Sequence, residues 1–305
     1  MAQKHPSILY HYCSLPTFYN IIKNKSIWIS DVEKSNDFLE LVSMRQLFAK
    51  EMDEQIAKKA TSYAESFDYK QMMKLNDLQI KAHGEIRKAV AKHLVFCLSE
   101  KGDLLSQWRG YADDGCGISI GFNRDFLYKL NDLNIQTPPS KREYFQFEKI
   151  DYNEDLAVEF IKTKSGIGFF SLYDNEEEQI NCIKHALAKV ALAAPFHKTS
   201  AFIEECEWRI VVTYMLWNFE KPDFSPYSNG DFEFCNIEYT ASRNKLVPHL
   251  EIKFPSIKNA ISDIIIGPKC TVNIIEMKQF LICMGILDNF EDDSITIKKS
   301  KASYR

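Results

Sequence analysis

Hydrophobic positions along this chain switch between a period of two and a period near 3.6. Ile8 to Cys13 alternates and is rich in Tyr, as a strand is, and Leu15, Phe18, Ile21 and Ile22 then form one helical stripe that Ser14 can cap. Ser26 to Ser30 reads as a second strand, with Trp28 on the opposite face from Ile27 and Ile29, and Asp31 to Asp37 as a polar loop. From Phe38 to about Lys92 residues such as Leu41, Met44, Leu47, Phe48 and Met52 recur at helical spacing among Lys, Glu, Gln and Ala. Two or three helices are expected there, with Asn36, Asp37 or Glu40 as caps, a bend within Tyr63 to Tyr69, and Gly84 as a candidate break.

The stretch Phe96 to Phe122 organises the rest. Val95 to Ser99 is an apolar strand, Asp103 can cap a short helix anchored by Leu104, Leu105 and Trp108, and Gly115 and Gly117 turn the chain into a second strand, Ile118 to Phe122. Asn123 caps the next helix, the prolines within Thr137 to Ser140 forbid its continuation, and Tyr144 to Tyr152 returns to strand. Helices are expected over Asp155 to Lys162 and Asn175 to Ala194, the second opening on Glu176, Glu177 and Glu178, which suit a helix N-terminus. Glu204 to Tyr214 carries the β-branched run Ile210, Val211, Val212 of a central strand. Further strands are expected at Phe232 to Thr240, Leu250 to Phe254, Ser262 to Ile266 and Ser294 to Lys299, with a helix over Val272 to Met284.

With 305 residues, 45% of them hydrophobic, the chain can bury a full core as one α+β domain carrying a helical insertion at about 38–92. Thirty-eight basic against 42 acidic residues leave a net charge of −4, so no overall basic field draws it to nucleic acid or anionic lipid. No run of about 18 apolar residues is present, and MAQKHPS is no signal sequence, so a cytoplasmic protein with no membrane partner is expected. The eight cysteines form no Cys-x-x-Cys pair and mostly sit in apolar segments, which reads as buried reduced thiols.

Several chemistries fail on spacing. Gly115-x-Gly117-x-x-x-Gly121 precedes a strand rather than following one, so it is no dinucleotide fingerprint, and no phosphate loop, HExxH, Cys/His metal set or GxSxG elbow occurs. Glu205 and Glu207 remain. Two apart on a strand, they would share one face about 6.5 to 7 Å apart, a wall able to stabilise an oxocarbenium-like cation. Glu207 can instead form a structural ion pair with Arg209 on the same face.

Read together, LYHYCS at 9–14, SNDFLE at 35–40, SQWRGYADD at 106–114, EECEWRIVV at 204–212 and KASYR at 301–305 resemble the DUF2971 family of bacterial proteins, SQWRGYADD and ECEWRIV most specifically. The strand bearing His11 and Ser14, followed by TFYNIIKNKSIWIS at 17–30, is also similar to the opening of NAD-dependent ADP-ribosyltransferases of the DNA-targeting toxin kind. That second resemblance implies a mixed, mainly antiparallel split sheet gripping a cleft, with the helical insertion outside it. It implies NAD as substrate and Glu207 as the catalytic carboxylate, with Glu205 orienting the acceptor. His11 would bond the cofactor ribose, Ser14 would add a hydroxyl contact, and Ser30, at the end of the matching second strand, would also contact the cofactor. Tyr12, Trp28, Trp108 and Tyr111 would offer stacking rings, and Gln107 and Arg109 would contact the amide or pyrophosphate. A macromolecular ADP-ribose acceptor, and an antitoxin or regulatory partner in phage defence or growth arrest, follow by analogy. An NAD glycohydrolase and a non-catalytic sensor of a nucleotide or phage component are the other readings. The C-terminus, ITIKKSKASYR at 295–305, is expected to dock: Ile295 and Ile297 alternate as in an edge strand, and Tyr304 and Arg305 can anchor the chain end, Arg305 on a carboxylate near the cleft.

Overall fold

A computed structural model describes residues 6–32, 38–66, 68–88, 90–131, 143–216, 227–228, 230–242 and 245–304. The Asn36 and Asp37 caps, the side chain of Glu40, the break at 137–140 and Arg305 lie outside the described residues. The chain is α+β, a mixed and mostly antiparallel sheet with helices on both faces.

The strand β3 (Val90–Ser99) is the branch point of the sheet. One edge pairs with β6 (Glu207–Leu216) along all of β3, from Val90 with Leu216 to Ser99 with Glu207. The other edge is divided. β1 (Ile8–Cys13) takes it at Ser99, opposite Tyr10, while β2 (Ser26–Asp31) takes it at Leu94 and Val95. From there the sheet runs apart. β1 continues through β4 (Ile118–Asn123) and β10 (Ile261–Ile266) to β11 (Thr296–Lys299), and β2 continues through β9 (Lys245–Lys253) and β8 (Glu233–Ser242) to β7 (Tyr227–Ser228). β5 (Glu143–Lys149) pairs with β6. Only β10 and β11 are parallel among these pairs.

β3 and β6 read as near-continuous apolar runs because both faces are covered. Leu94, Phe96, Leu98, Trp208, Ile210 and Val212 enter the larger core. That core is shared with α1 (Leu15–Asn24), α5 (Arg124–Tyr128) and α9 (Ile274–Cys283). Val95 and Val211 face the opposite way. They enter a second core with α2 (Phe38–Glu65), α3 (Tyr69–Lys88) and α7 (Glu176–Ala193). The helical insertion therefore packs outside the sheet, as expected, although it ends at Lys88 and β3 begins earlier than the apolar run suggests. Gly84 does not break α3, since Ala82 and Ile86 on either side are buried and hold the helix to the core.

The central corner is α4 (Leu105–Tyr111), a tight turn and β4. Asp114 and Gly115 both take positive φ, and a Cβ on Gly117 would come within 2.1 Å of the Cys13 carbonyl oxygen, so that turn accepts no side chain there. Asp103 does not cap α4. Its carboxylate accepts the Trp108 Nε1–H at 2.7 Å, the Ser300 hydroxyl, and the Lys301 N–H at 2.7 Å. The C-terminal segment is thus docked as expected, with Ser300 N–H donating to Ile266 O at 2.8 Å and the Tyr304 hydroxyl donating to Asp114.

Expected thiol burial holds for Cys13 and Cys270 but fails for Cys116 and Cys283, which are exposed. Among the described residues no helix is long and apolar enough to cross a membrane.

Candidate functional site

The division of the β3 edge leaves a gap between β1 and the C-terminal half of β3, and a pocket opens there. Its walls are Tyr10, His11 and Tyr12 of β1, Cys97 to Ser99 of β3, Gln107 and Tyr111 of α4, and Glu205 and Glu207. The pocket is small, about 50 Å³, or about 370 Å³ with the open mouth included. Three stretches far apart in sequence, at 10–12, 97–111 and 205–207, are brought together there.

His11 is fixed by geometry. Its Nδ1 lies 2.9 Å from the Cys97 carbonyl oxygen, which can only accept, so Nδ1 carries the hydrogen. The ring stacks on Phe96 with centroids 4.1 Å apart. Burial drives the imidazole pKa down to about 4, against a smaller upward pull from the Cys97 carbonyl. At neutral pH the ring is therefore uncharged and Nε2 is a bare acceptor, suited to a hydroxyl and unsuited to donating a proton.

Tyr12 presents its ring rather than its hydroxyl. The oxygen donates to Lys101 O at 2.7 Å and accepts the Leu104 N–H at 2.9 Å, and burial raises its pKa. Trp108 meets that ring edge to face at 4.9 Å but is itself 0% exposed and does not line the pocket. A stacking role for Trp108 is therefore overturned: it is the support behind Tyr12.

The carboxylate pair is built differently from expectation. β6 begins at Glu207, whereas Glu205 ends a 3₁₀ turn, Ser200–Glu205, and Cys206 between them takes φ 45° and ψ 51°. The left-handed residue breaks the strand, so no pleat aligns the two acids. They converge through a cation that the strand pattern did not signal. Lys198 Nζ donates to Glu205 Oε2 at 2.8 Å and to Glu207 Oε2 at 3.2 Å, with its side chain only 1% exposed and lying over the Phe202 ring at 4.7 Å. Lys198 itself is anchored by its N–H on Asp151 O at 3.0 Å.

The structural ion pair proposed for Glu207 is present as well. Arg209 Nε donates to Oε1 at 2.7 Å and Nη2 to Oε2 at 3.0 Å, while Nη1 donates to Pro195 O. Burial would raise the Glu207 pKa, but Arg209 and then Lys198 outweigh it and hold the carboxyl below its ordinary value. Among the described residues, two carboxylates and two cations thus meet in one buried cluster at the pocket.

The remaining predicted residues lie elsewhere. Ser14 caps α1, accepting the Thr17 N–H at 3.3 Å. Trp28 is 44% exposed and stacks on His249 at 4.0 Å on β2 and β9, with Ser30 two residues along. Arg109 reaches outward over the Tyr304 ring. None of these four lines the pocket. Lys198 was missed because it sits in a segment with no periodicity; its one signal was a lysine shortly before an acidic pair. Among the described residues no group of three His, Cys, Asp or Glu side chains is arranged to hold a metal ion.

Residues 107–210 match the model of a family described as a protein of unknown function, DUF2971. The match contains Gln107, Tyr111, Lys198, Glu205 and Glu207, and it bears out the resemblance drawn from SQWRGYADD and ECEWRIV; LYHYCS, SNDFLE and KASYR lie outside it. No curated protein and no solved structure matches the chain.

Proposed function

We propose that this chain is an ADP-ribosyltransferase-like enzyme that cleaves NAD at the bond between nicotinamide and its ribose and passes ADP-ribose to a macromolecule. The observation that carries this reading is the convergence of His11, Tyr12, Gln107, Tyr111, Glu205 and Glu207 on one pocket where the sheet divides. In this reading the His11 Nε2 accepts a ribose hydroxyl. The Tyr12 and Tyr111 rings flank the nicotinamide and the Gln107 amide pairs with its carboxamide. As the C–N bond breaks, nicotinamide leaves with the bonding electrons, and the ribose carbon becomes an oxocarbenium-like cation beside the two carboxylates. The nucleophile of the acceptor then closes the new bond and gives up its proton. The pocket is too small for a whole dinucleotide, so in this reading the nicotinamide end sits at its mouth and the rest of NAD lies outside it. By analogy with toxins of this chemistry, the biological setting is phage defence or growth arrest under a regulatory partner.

Water as acceptor would make the protein an NAD glycohydrolase with the same site. One observation favours a third reading, a nucleotide sensor without turnover: Arg209 and Lys198 already engage both oxygens of Glu207, which blunts the charge available to a cation. Incubation with NAD labelled in its adenylate half separates them. Labelled macromolecule supports transfer, free ADP-ribose supports hydrolysis, and bound but intact NAD supports the sensor.

A further inference from the structure

A second cleft, of about 510 Å³, lies between β5 and α7, shares no lining residue with the first pocket, and takes no part in the chemistry above. Buried polar side-chain atoms are nearly always paired, so those that are not call for an explanation. Four such atoms without a partner occur among the described residues, and two of them, Gln146 Oε1 and His197 Nδ1, belong to residues lining this one cleft. Beside them stand the rings of Phe160 and Phe196, Phe160 tilted against the His197 imidazole with centroids 6.5 Å apart.

The charges around the cleft are divided between its sides. The β5 side holds Glu148, Asp151 and Lys149, whose ammonium is paired with Glu100 at 2.8 Å. The helical side holds Lys164 and Lys189, and neither has a carboxylate within ion-pair distance among the described residues. Gly166, at φ 96°, turns the chain so that Lys189 Nζ lies 3.8 Å from where a Cβ of Gly166 would stand, beside the turn that follows Lys164.

The Gln146 amide and the His197 imidazole each keep an unfilled hydrogen-bonding position just beneath the cleft surface, which a small side-chain shift would offer to the edge of a heteroaromatic ring. Aromatic walls suit its faces, and two uncommitted ammonium groups suit a phosphate. The volume falls within the roughly 300 to 1,000 Å³ of small-molecule sites. We infer that this cleft binds a phosphorylated heteroaromatic molecule of mononucleotide size, its ring edge on Gln146 and His197 and its phosphate on Lys164 and Lys189. This site is independent of NAD cleavage, and its test needs no turnover.

The test is calorimetric titration of the full chain with AMP, and separately with inorganic phosphate. One AMP per chain is expected, binding at least tenfold more tightly than phosphate. The doubly substituted Lys164→Glu/Lys189→Glu chain should weaken AMP at least tenfold, and His11→Ala, in the other pocket, should leave it unchanged. Gln146→Leu is the decisive variant: without ligand its melting temperature should equal or exceed that of the wild type, because an unpartnered buried polar group is removed, while AMP affinity falls at least tenfold. Absence of AMP binding at millimolar concentration, equal affinity for phosphate, unaltered affinity in the Lys164/Lys189 or Gln146 variants, or loss confined to His11→Ala would each overturn the assignment.

Discussion

Arg209 holds Glu207 by two parallel hydrogen bonds on one face of β6, Nε to Oε1 at 2.7 Å and Nη2 to Oε2 at 3.0 Å. A bidentate pair of this kind fixes the carboxylate plane, and Lys198 then joins it to Glu205. The cluster ties the floor of the pocket to the second core through β6 and the Lys198 segment.

Glu207→Gln therefore changes more than one acceptor. Removing one partner of a buried ion pair leaves uncompensated charge and typically costs about 3 to 5 kcal/mol. The substituted protein should melt at a lower temperature, and NAD cleavage per folded molecule should also fall. Lys198→Met should lower stability by a similar amount, since both buried carboxylates then lose a cationic donor. Thermal melts alongside activity normalised to folded protein check both; wild-type melting in either variant would show that the cluster is not a buried network.

Acid should unfold the protein earlier than its carboxylates alone require. Burial lowers the His11 pKa from 6.5 to about 4, and burial with Arg45 and Lys92 nearby lowers that of His93 to about 3. The unfolded chain takes up these protons first, so this contribution is full above pH 6.5 and is lost progressively as pH falls from 6.5 toward the folded values. Each pH unit of separation is worth about 1.4 kcal/mol per group, so the two histidines together account for several kcal/mol by about pH 4. Glu207, held below its ordinary value, adds a further loss below about pH 4.5. Denaturant melts from pH 7.5 to 4 should show stability declining from near pH 6.5; a flat profile down to pH 4.5 would contradict the burial of these rings.

The chain end acts on the pocket through Asp103. Ser300 and Lys301 hold its carboxylate, the carboxylate holds the Trp108 indole, and Trp108 backs the Tyr12 ring. Deleting 300–305 should lower stability by about 1 to 3 kcal/mol through the exposed and unpaired groups it leaves. Trp108→Ala should cost about 3 to 5 kcal/mol. In both, weakened NAD binding is expected through a loosened Tyr12; a truncated chain with wild-type melting and wild-type NAD affinity would return the tail to solvent.

Much of the fold was legible because local rules decided it. Ser14 and Asn123 cap the helices that their positions announced, and the bend between α2 and α3 falls within 63–69. The site was legible only in part. Glu205 and Glu207 were named for a shared strand face, yet the left-handed Cys206 breaks that strand and nothing about a cysteine announces positive φ. Asp103 looked like a cap because its position allowed it, and a tail about two hundred residues away drew it elsewhere. Lys198 carries no periodic signal, and the pairing of β3 with β1, β2 and β6 is a long-range choice that no local pattern encodes.

The most direct test is nicotinamide release from NAD by the purified wild-type chain, measured beside His11→Ala and Glu205→Gln. His11 lines the pocket from β1 and Glu205 lies on the loop before β6, so the two variants probe the pocket from opposite walls. Release by the wild type, with at least tenfold loss in each variant while its melting curve stays cooperative, is the predicted result. No release and no NAD binding by the wild type, or release that neither substitution alters, would contradict the assignment of this pocket to NAD chemistry.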